Sequence, residues 1–121
     1  KKESLQIIPN TNLIMLSLSG LLQEKKKNKK KFTEARYYVE KVIRMEPENI
    51  LAWHLKGIIH NYSGEFMEAD LSAAEEFLRR RDFKTASYFA NKVIMNSKKF
   101  SSQNLRASDI IKLINQKNNK G

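Results

Sequence analysis

The sequence predicts an all-α chain built as a stack of short antiparallel helices. Three observations carry this. Of 121 residues, 40% are hydrophobic and 30% charged, with only 4 Gly and 2 Pro, too apolar for a disordered chain and too poor in turns for an all-β one. Apolar residues recur at helical spacing. A segment of the chain repeats: Phe32-Thr33-Glu34-Ala35-Arg36-Tyr37-Tyr38-Val39-Glu40-Lys41-Val42-Ile43 aligns without gaps to Phe83-Lys84-Thr85-Ala86-Ser87-Tyr88-Phe89-Ala90-Asn91-Lys92-Val93-Ile94. Phe66-Met67-Glu68-Ala69 restarts the same Phe-x-x-Ala opening, and from Phe32 to Phe66 the step is 34 residues. A period of that length marks stacked helix pairs, so the expected architecture is an α-solenoid of about three repeats with partial ends.

Along the chain, residues 1–11 read as the end of a preceding helix, closed by Pro9 and Asn10. Residues 12–49 form a repeat. Its first helix runs from Asn12 to about Glu24, and its second carries Ala35, Val39, Val42 and Ile43 on one stripe. Between them the tract Lys25-Lys26-Lys27-Asn28-Lys29-Lys30-Lys31 is an insertion in the turn. Doubling a loop costs only about 0.6 kcal/mol of closure entropy, so the stack tolerates it. Pro47 ends the second helix, since it lacks an N–H and disfavours helical geometry before it. Residues 50–69 hold the first helix and turn of the next repeat, 70–100 a further repeat, 101–117 a terminal helix through Leu105, Ile110, Ile111 and Ile114, and 118–121 a frayed tail.

The period fails once, because Phe66 to Phe83 is a step of 17 residues, half a repeat. Two explanations are open. Residues near 69–72 are omitted from the chain, or one continuous helix from Phe66 to Arg80 takes a second-type slot and displaces its successor. The first is preferred, since both flanking signatures are individually good.

Trp53, Gly57, Gly64, Phe66 and Ala69, with Pro47 six residues before the Trp, resemble the tetratricopeptide repeat pattern in type and spacing. The match is specific from Pro47 to Ala69 and weaker over most of the remaining chain, where Phe32, Ala35, Phe83 and Ala86 recur. Lys56 and His60 depart from it, standing where the family has Leu and an aromatic. The resemblance implies that Gly57 lets two helices cross closely, that Trp53 fills the gap between repeats, and that Gly64 makes the tight turn of the pair. It also implies a concave partner-binding surface from the first helix of each pair, here Leu51, His54, Ile58, Asn61 and Tyr62. The alternative for Leu51 and Ile58 is simple packing against neighbouring helices. Members that clamp the C-terminal carboxylates of Hsp70 and Hsp90 use Lys, Asn and Arg, whereas the aligned slots here hold His54, Ile58, Glu68 and Ser72, which disfavours a co-chaperone role.

No chemistry is legible for catalysis. His54 and His60 are six apart, on different helix faces, and no Cys is present, so neither a helical metal pair nor a thiolate site is expected. Glu75-Glu76 and Glu46/Glu48 read as solvated helix ends. No phosphate loop, nucleophile elbow or dinucleotide fingerprint occurs, so neither enzymatic activity nor a cofactor is expected.

Net charge is +10, which favours an acidic partner. Lys25, Lys26, Lys27, Lys29, Lys30 and Lys31 form one basic patch, and Arg79, Arg80 and Arg81 a second, in a helix–turn slot. Each is read first as solvated surface, with RNA phosphates and an acidic protein partner or nuclear-import receptor as the functional alternatives. The run Leu13–Leu22 is too short for a membrane span, which takes roughly 20 apolar residues. These features lead to an expected intracellular, cytoplasmic scaffold or adaptor, with the nucleus as alternative compartment. Helix stripes left open at both ends suggest a piece of a longer array or a subunit of a larger assembly. A basic solenoid that binds RNA is the second function hypothesis.

Overall fold

A computed structural model of the chain describes Asn12, Ile14, Met15 and residues 29–119. The described residues form helices and connecting turns with no strand, and from Lys29 to Asn119 five helices follow one another: α1 (Lys29–Met45), α2 (Ile50–Tyr62), α3 (Phe66–Arg79), α4 (Phe83–Asn96) and α5 (Ser102–Asn119). Each packs on its sequence neighbour, and α3 also touches α5. Connections at 46–49, 63–65, 80–82 and 97–101 are too short to do anything but fold each helix back beside the last.

The helix boundaries have local causes. Helix α1 stops at Met45, two residues before Pro47. Asn49 then caps α2, its side-chain oxygen accepting from the Ala52 N–H at 3.0 Å. Asp82 caps α4 through the Thr85 N–H at 3.2 Å, and Ser101 caps α5 through the Asn104 N–H at 3.2 Å. The turns after α2 and α3 are the same device. Gly64 has φ 75°, with Glu65 N–H donating to the His60 carbonyl at 2.9 Å and Gly64 N–H to Asn61 at 3.1 Å. Seventeen residues on, Arg81 has φ 62°, with Asp82 N–H donating to Phe77 at 3.0 Å and Arg81 N–H to Leu78 at 3.1 Å. Both are left-handed helix caps; glycine adopts that backbone without steric cost and arginine does not.

This recurrence explains the half-period. Phe66 opens α3 and Phe83 opens α4, so the step between them is one helix and its turn. Helix α3 runs unbroken from Phe66 to Arg79, through the 69–72 stretch where the sequence reading preferred a gap. Three further expectations change. Phe66, at the start of α3, is 64% exposed, whereas Phe83, at the start of α4, packs on the second core under the Arg81 guanidinium. Of the expected α5 stripe Ile110 and Ile114 are buried and Ile111 packs against the core, but Leu105 is half exposed and Ala107 is buried in addition. The tail expected to fray at 118–121 is helical to Asn119. The expected preceding helix and most of the first helix lie outside the described residues, although Ile14 is fully buried.

The core is in two parts. Ala35, Val39 and Val42 of α1 pack with Ala52, Leu55 and Ile59 of α2 and with Ile14. Ala74 of α3, Ala86, Ala90 and Val93 of α4, and Ala107, Ile110 and Ile114 of α5 form the other. Small residues make the crossing between them. A Cβ placed on Gly57 would sit 3.7 Å from the Ser72 Cβ and 3.8 Å from the Ala69 carbonyl oxygen. Ser72 and Ala69 are both buried.

Candidate functional site: a buried charge network and the cleft beside it

The five residues expected on a binding surface form one stripe along α2, since 51, 54, 58 and 61/62 recur at helical spacing. Leu51, His54, Asn61 and Tyr62 are exposed, while Ile58 is partly buried against the first core. The Tyr62 ring meets Phe32 edge-on with centroids 5.8 Å apart. His54 reaches α3, its Nδ1 3.2 Å from Glu76 Oε1. One end of the stripe is therefore fastened to α1 and its middle to α3.

The acid pair is where the structure departs most from the sequence reading. Glu75 and Glu76 are buried, at 4% and 6% exposure, not solvated helix ends. Adjacent residues on a helix point about 100° apart, so the two carboxylates serve different neighbours. Glu76 faces α2 at His54 and accepts from Arg80 Nε at 2.7 Å. Glu75 faces α5: Arg106 donates through Nε at 2.7 Å and Nη2 at 2.9 Å, and Arg79 through Nη1 at 2.8 Å.

Burial pushes the Glu75 carboxyl up, but hydrogen bonds from Arg106 and Arg79 outweigh it and hold the group below its ordinary value of 4.5. The hydrogen bond to Glu75 in turn raises the Arg106 guanidinium against the opposing effect of burial. A second, exposed carboxylate is treated likewise. Glu65 is lowered by hydrogen bonds with His60, whose Nδ1 is 2.9 Å away, and with Arg36, which donates at 2.9 Å. His60 itself is buried, the packed member of the histidine pair.

Arg79 does more than neutralise Glu75. Its Nε donates to the Pro47 carbonyl at 2.7 Å, an oxygen that also accepts from Trp53 Nε1 at 2.9 Å. Its guanidinium lies over the Trp53 ring at 4.7 Å, and Lys56 approaches the same ring at 5.7 Å. Trp53 is thus a half-buried plate under two cations, more than an apolar filler between repeats. The expected basic patch at 79–81 divides accordingly. Arg79 is internal, with its side chain 10% exposed, and Arg80 is paired with Glu76. Arg81 stands over the Phe83 ring, at 5.4 Å.

Beside the network lies a cleft of about 260 Å³ between the α1–α2 connection, the end of α3 with its following turn, and α5. Leu78 and Leu113 supply its apolar walls, Arg79, Arg81, Arg106 and Lys117 its cations, and Glu48 its one acid. Sequence reasoning found Arg79 and Arg81 but missed Arg106 and Lys117. No short-range signal links residues about thirty apart, and only the α3–α5 contact brings them together. The slots at which a carboxylate clamp would need cations hold Ser72, buried under Gly57, and Glu68, which accepts from Gln103 at 2.6 Å. The side chains of the lysine tract 25–31 lie outside the described residues. Among the described residues no helix is long and apolar enough to cross a membrane.

Comparison with protein-family models, with curated proteins and with solved structures finds no match to this chain.

Proposed function

We propose that this chain is a tetratricopeptide-type α-solenoid segment, without enzymatic activity, that holds protein partners within a larger assembly. The observation that carries the reading is the α2–α3 pair. Gly57 stands at the close crossing over Ala69 and Ser72, and Gly64 takes the left-handed turn that closes the pair. Pro47, Trp53, Gly64 and Ala69 of the repeat signature thus have a structural reason for their type, whereas Gly57 has room for a methyl group and Phe66 is exposed. A helix pair of this kind cannot bury its faces alone, and stacking leaves an open helix face on which a partner segment can lie. Leu51, His54, Asn61 and Tyr62 offer mixed apolar and polar contacts of the kind such a segment uses.

Site-specific photo-crosslinking tests this. A photoreactive residue at Leu51 or Asn61 of the full chain in its native cells is expected to capture a defined polypeptide, and the same probe at exposed Met95 of α4 is not. Equal capture from all three positions, or from none, contradicts the reading. RNA binding is the competing function, and it rests on the lysine tract, since the guanidiniums of Arg79 and Arg80 already face carboxylates. It requires retention on single-stranded RNA that falls steeply with salt and is lost when Lys25–Lys31 are changed to Gln.

A further inference from the structure

We propose that the cleft between α3 and α5 docks a short acidic segment of a protein partner, with its carboxylates on Arg81, Lys117 and the outer edge of Arg106 and an aliphatic side chain between Leu78 and Leu113. The identification of the partner as protein rests on the interaction-module reading; the cleft does not. Charge is the first argument. Four of the lining side chains are cationic and one is anionic. Glu75, behind the wall, is shared by two guanidiniums and balances only one. Glu48 is 84% exposed and 3.7 Å from Arg79, too open to neutralise the remainder. Even with Asp109 also acting on Arg106, the cleft therefore keeps a surplus of positive charge on exposed Arg81 and Lys117, which an arriving carboxylate would offset.

Geometry is the second argument. Arg106 and Arg79 are fixed in place by their bonds to Glu75 and Pro47, so the wall needs little ordering to bind. Arg81 occupies a left-handed backbone position that glycine fills at the equivalent turn, Gly64. A side chain held there against its backbone preference stands at the cleft rim. The lining also separates protein from nucleic acid. It contains two leucines and no aromatic ring, which suits an aliphatic side chain and offers no plate for base stacking.

Fluorescence anisotropy on the full chain tests the proposal with three labelled probes: a short Glu/Asp/Leu peptide, the same peptide with Gln and Asn in place of the acids, and an oligouridine. The acidic peptide is expected to bind at least about fivefold more tightly than its amide counterpart, the effect of roughly one kcal/mol of charge complementarity. Lys117→Gln and Arg81→Gly are each expected to weaken it about threefold, and Arg81→Gly to do so in a chain no less stable than the parent. Equal affinity for the acidic and amide peptides overturns the proposal, as does binding that neither variant changes. Oligouridine binding with the same variant sensitivity overturns it too, and assigns the cleft to nucleic acid. Should photo-crosslinks form from Leu51 while the acidic peptide is ignored, the interaction module stands and this docking site falls.

Discussion

Glu75 is held by guanidiniums from two helices, and this one residue couples α3 to α5 through its charge. Because its carboxyl lies below its ordinary value in the folded chain, its contribution to stability is present above about pH 4.5 and is lost as pH falls through the folded value. Glu75→Gln is expected to cost about 2 kcal/mol at neutral pH, since two partly buried arginines lose their counter-charge while keeping some hydrogen bonds. The gap between parent and variant in urea unfolding should narrow below about pH 4.5 and close as pH falls through the lower folded value. A constant gap from pH 7 to pH 3 would mean that the ion pairs contribute nothing. At the other key residue the expected sign is reversed. Arg81→Gly removes a left-handed strain of about 1 kcal/mol or more, offset in part by the flexibility of glycine in the unfolded chain. We expect a net gain of about 0.5 kcal/mol, seen as a higher urea midpoint with an unchanged slope.

At the scale of the element, α3 is the unusual piece. Its first turn carries Ala69 to the crossing with α2, as the second helix of a pair would. Its later turns carry Ala74 and Phe77 into the core shared with α4 and α5, as the first helix of a pair would. The sequence shows both signatures and leaves one continuous helix from Phe66 to Arg80 as the less favoured explanation, because a repeat rule assigns each helix one slot; α3 holds both in 14 residues. Helix periodicity made the buried stripes of α1 and α4 legible, since Ala35, Val39 and Val42 and Ala86, Ala90 and Val93 are the residues that are buried. Periodicity carries no information on which face of α3 meets which neighbour. For that reason Glu75 and Glu76 looked like surface acids. The crossing at Gly57 is also less strict than the motif implies. An added methyl group would meet its neighbours at ordinary van der Waals distance, so Gly57→Ala should stabilise by about 0.5–1 kcal/mol through helix propensity. Gly57→Leu should cost about 1–3 kcal/mol by overpacking against Ser72 and Ala69. Thermal unfolding of the two variants checks both signs.

For the whole molecule, the consequence is a stack with two apolar cores joined by small residues and by charge. In a solenoid of the proposed kind stability adds from neighbour to neighbour, so damage should stay near its source. Val93→Ala, which removes about 2 kcal/mol of packing from the second core, should raise amide exchange in α4 and α5 well before it does so in α1. Uniform loss of protection across the helices would show a single cooperative core instead. The interaction reading depends on this arrangement, since it is α3 that sets the α2 stripe and the basic cleft at fixed positions relative to each other. Nuclear Overhauser contacts in the isotope-labelled chain test that claim most directly. The account predicts contacts from Gly57 to Ser72 and from Ala74 to the buried α5 stripe, Ala107 and Ile110, in the same folded species. Finding the first set without the second, or the two in separate species, would contradict it.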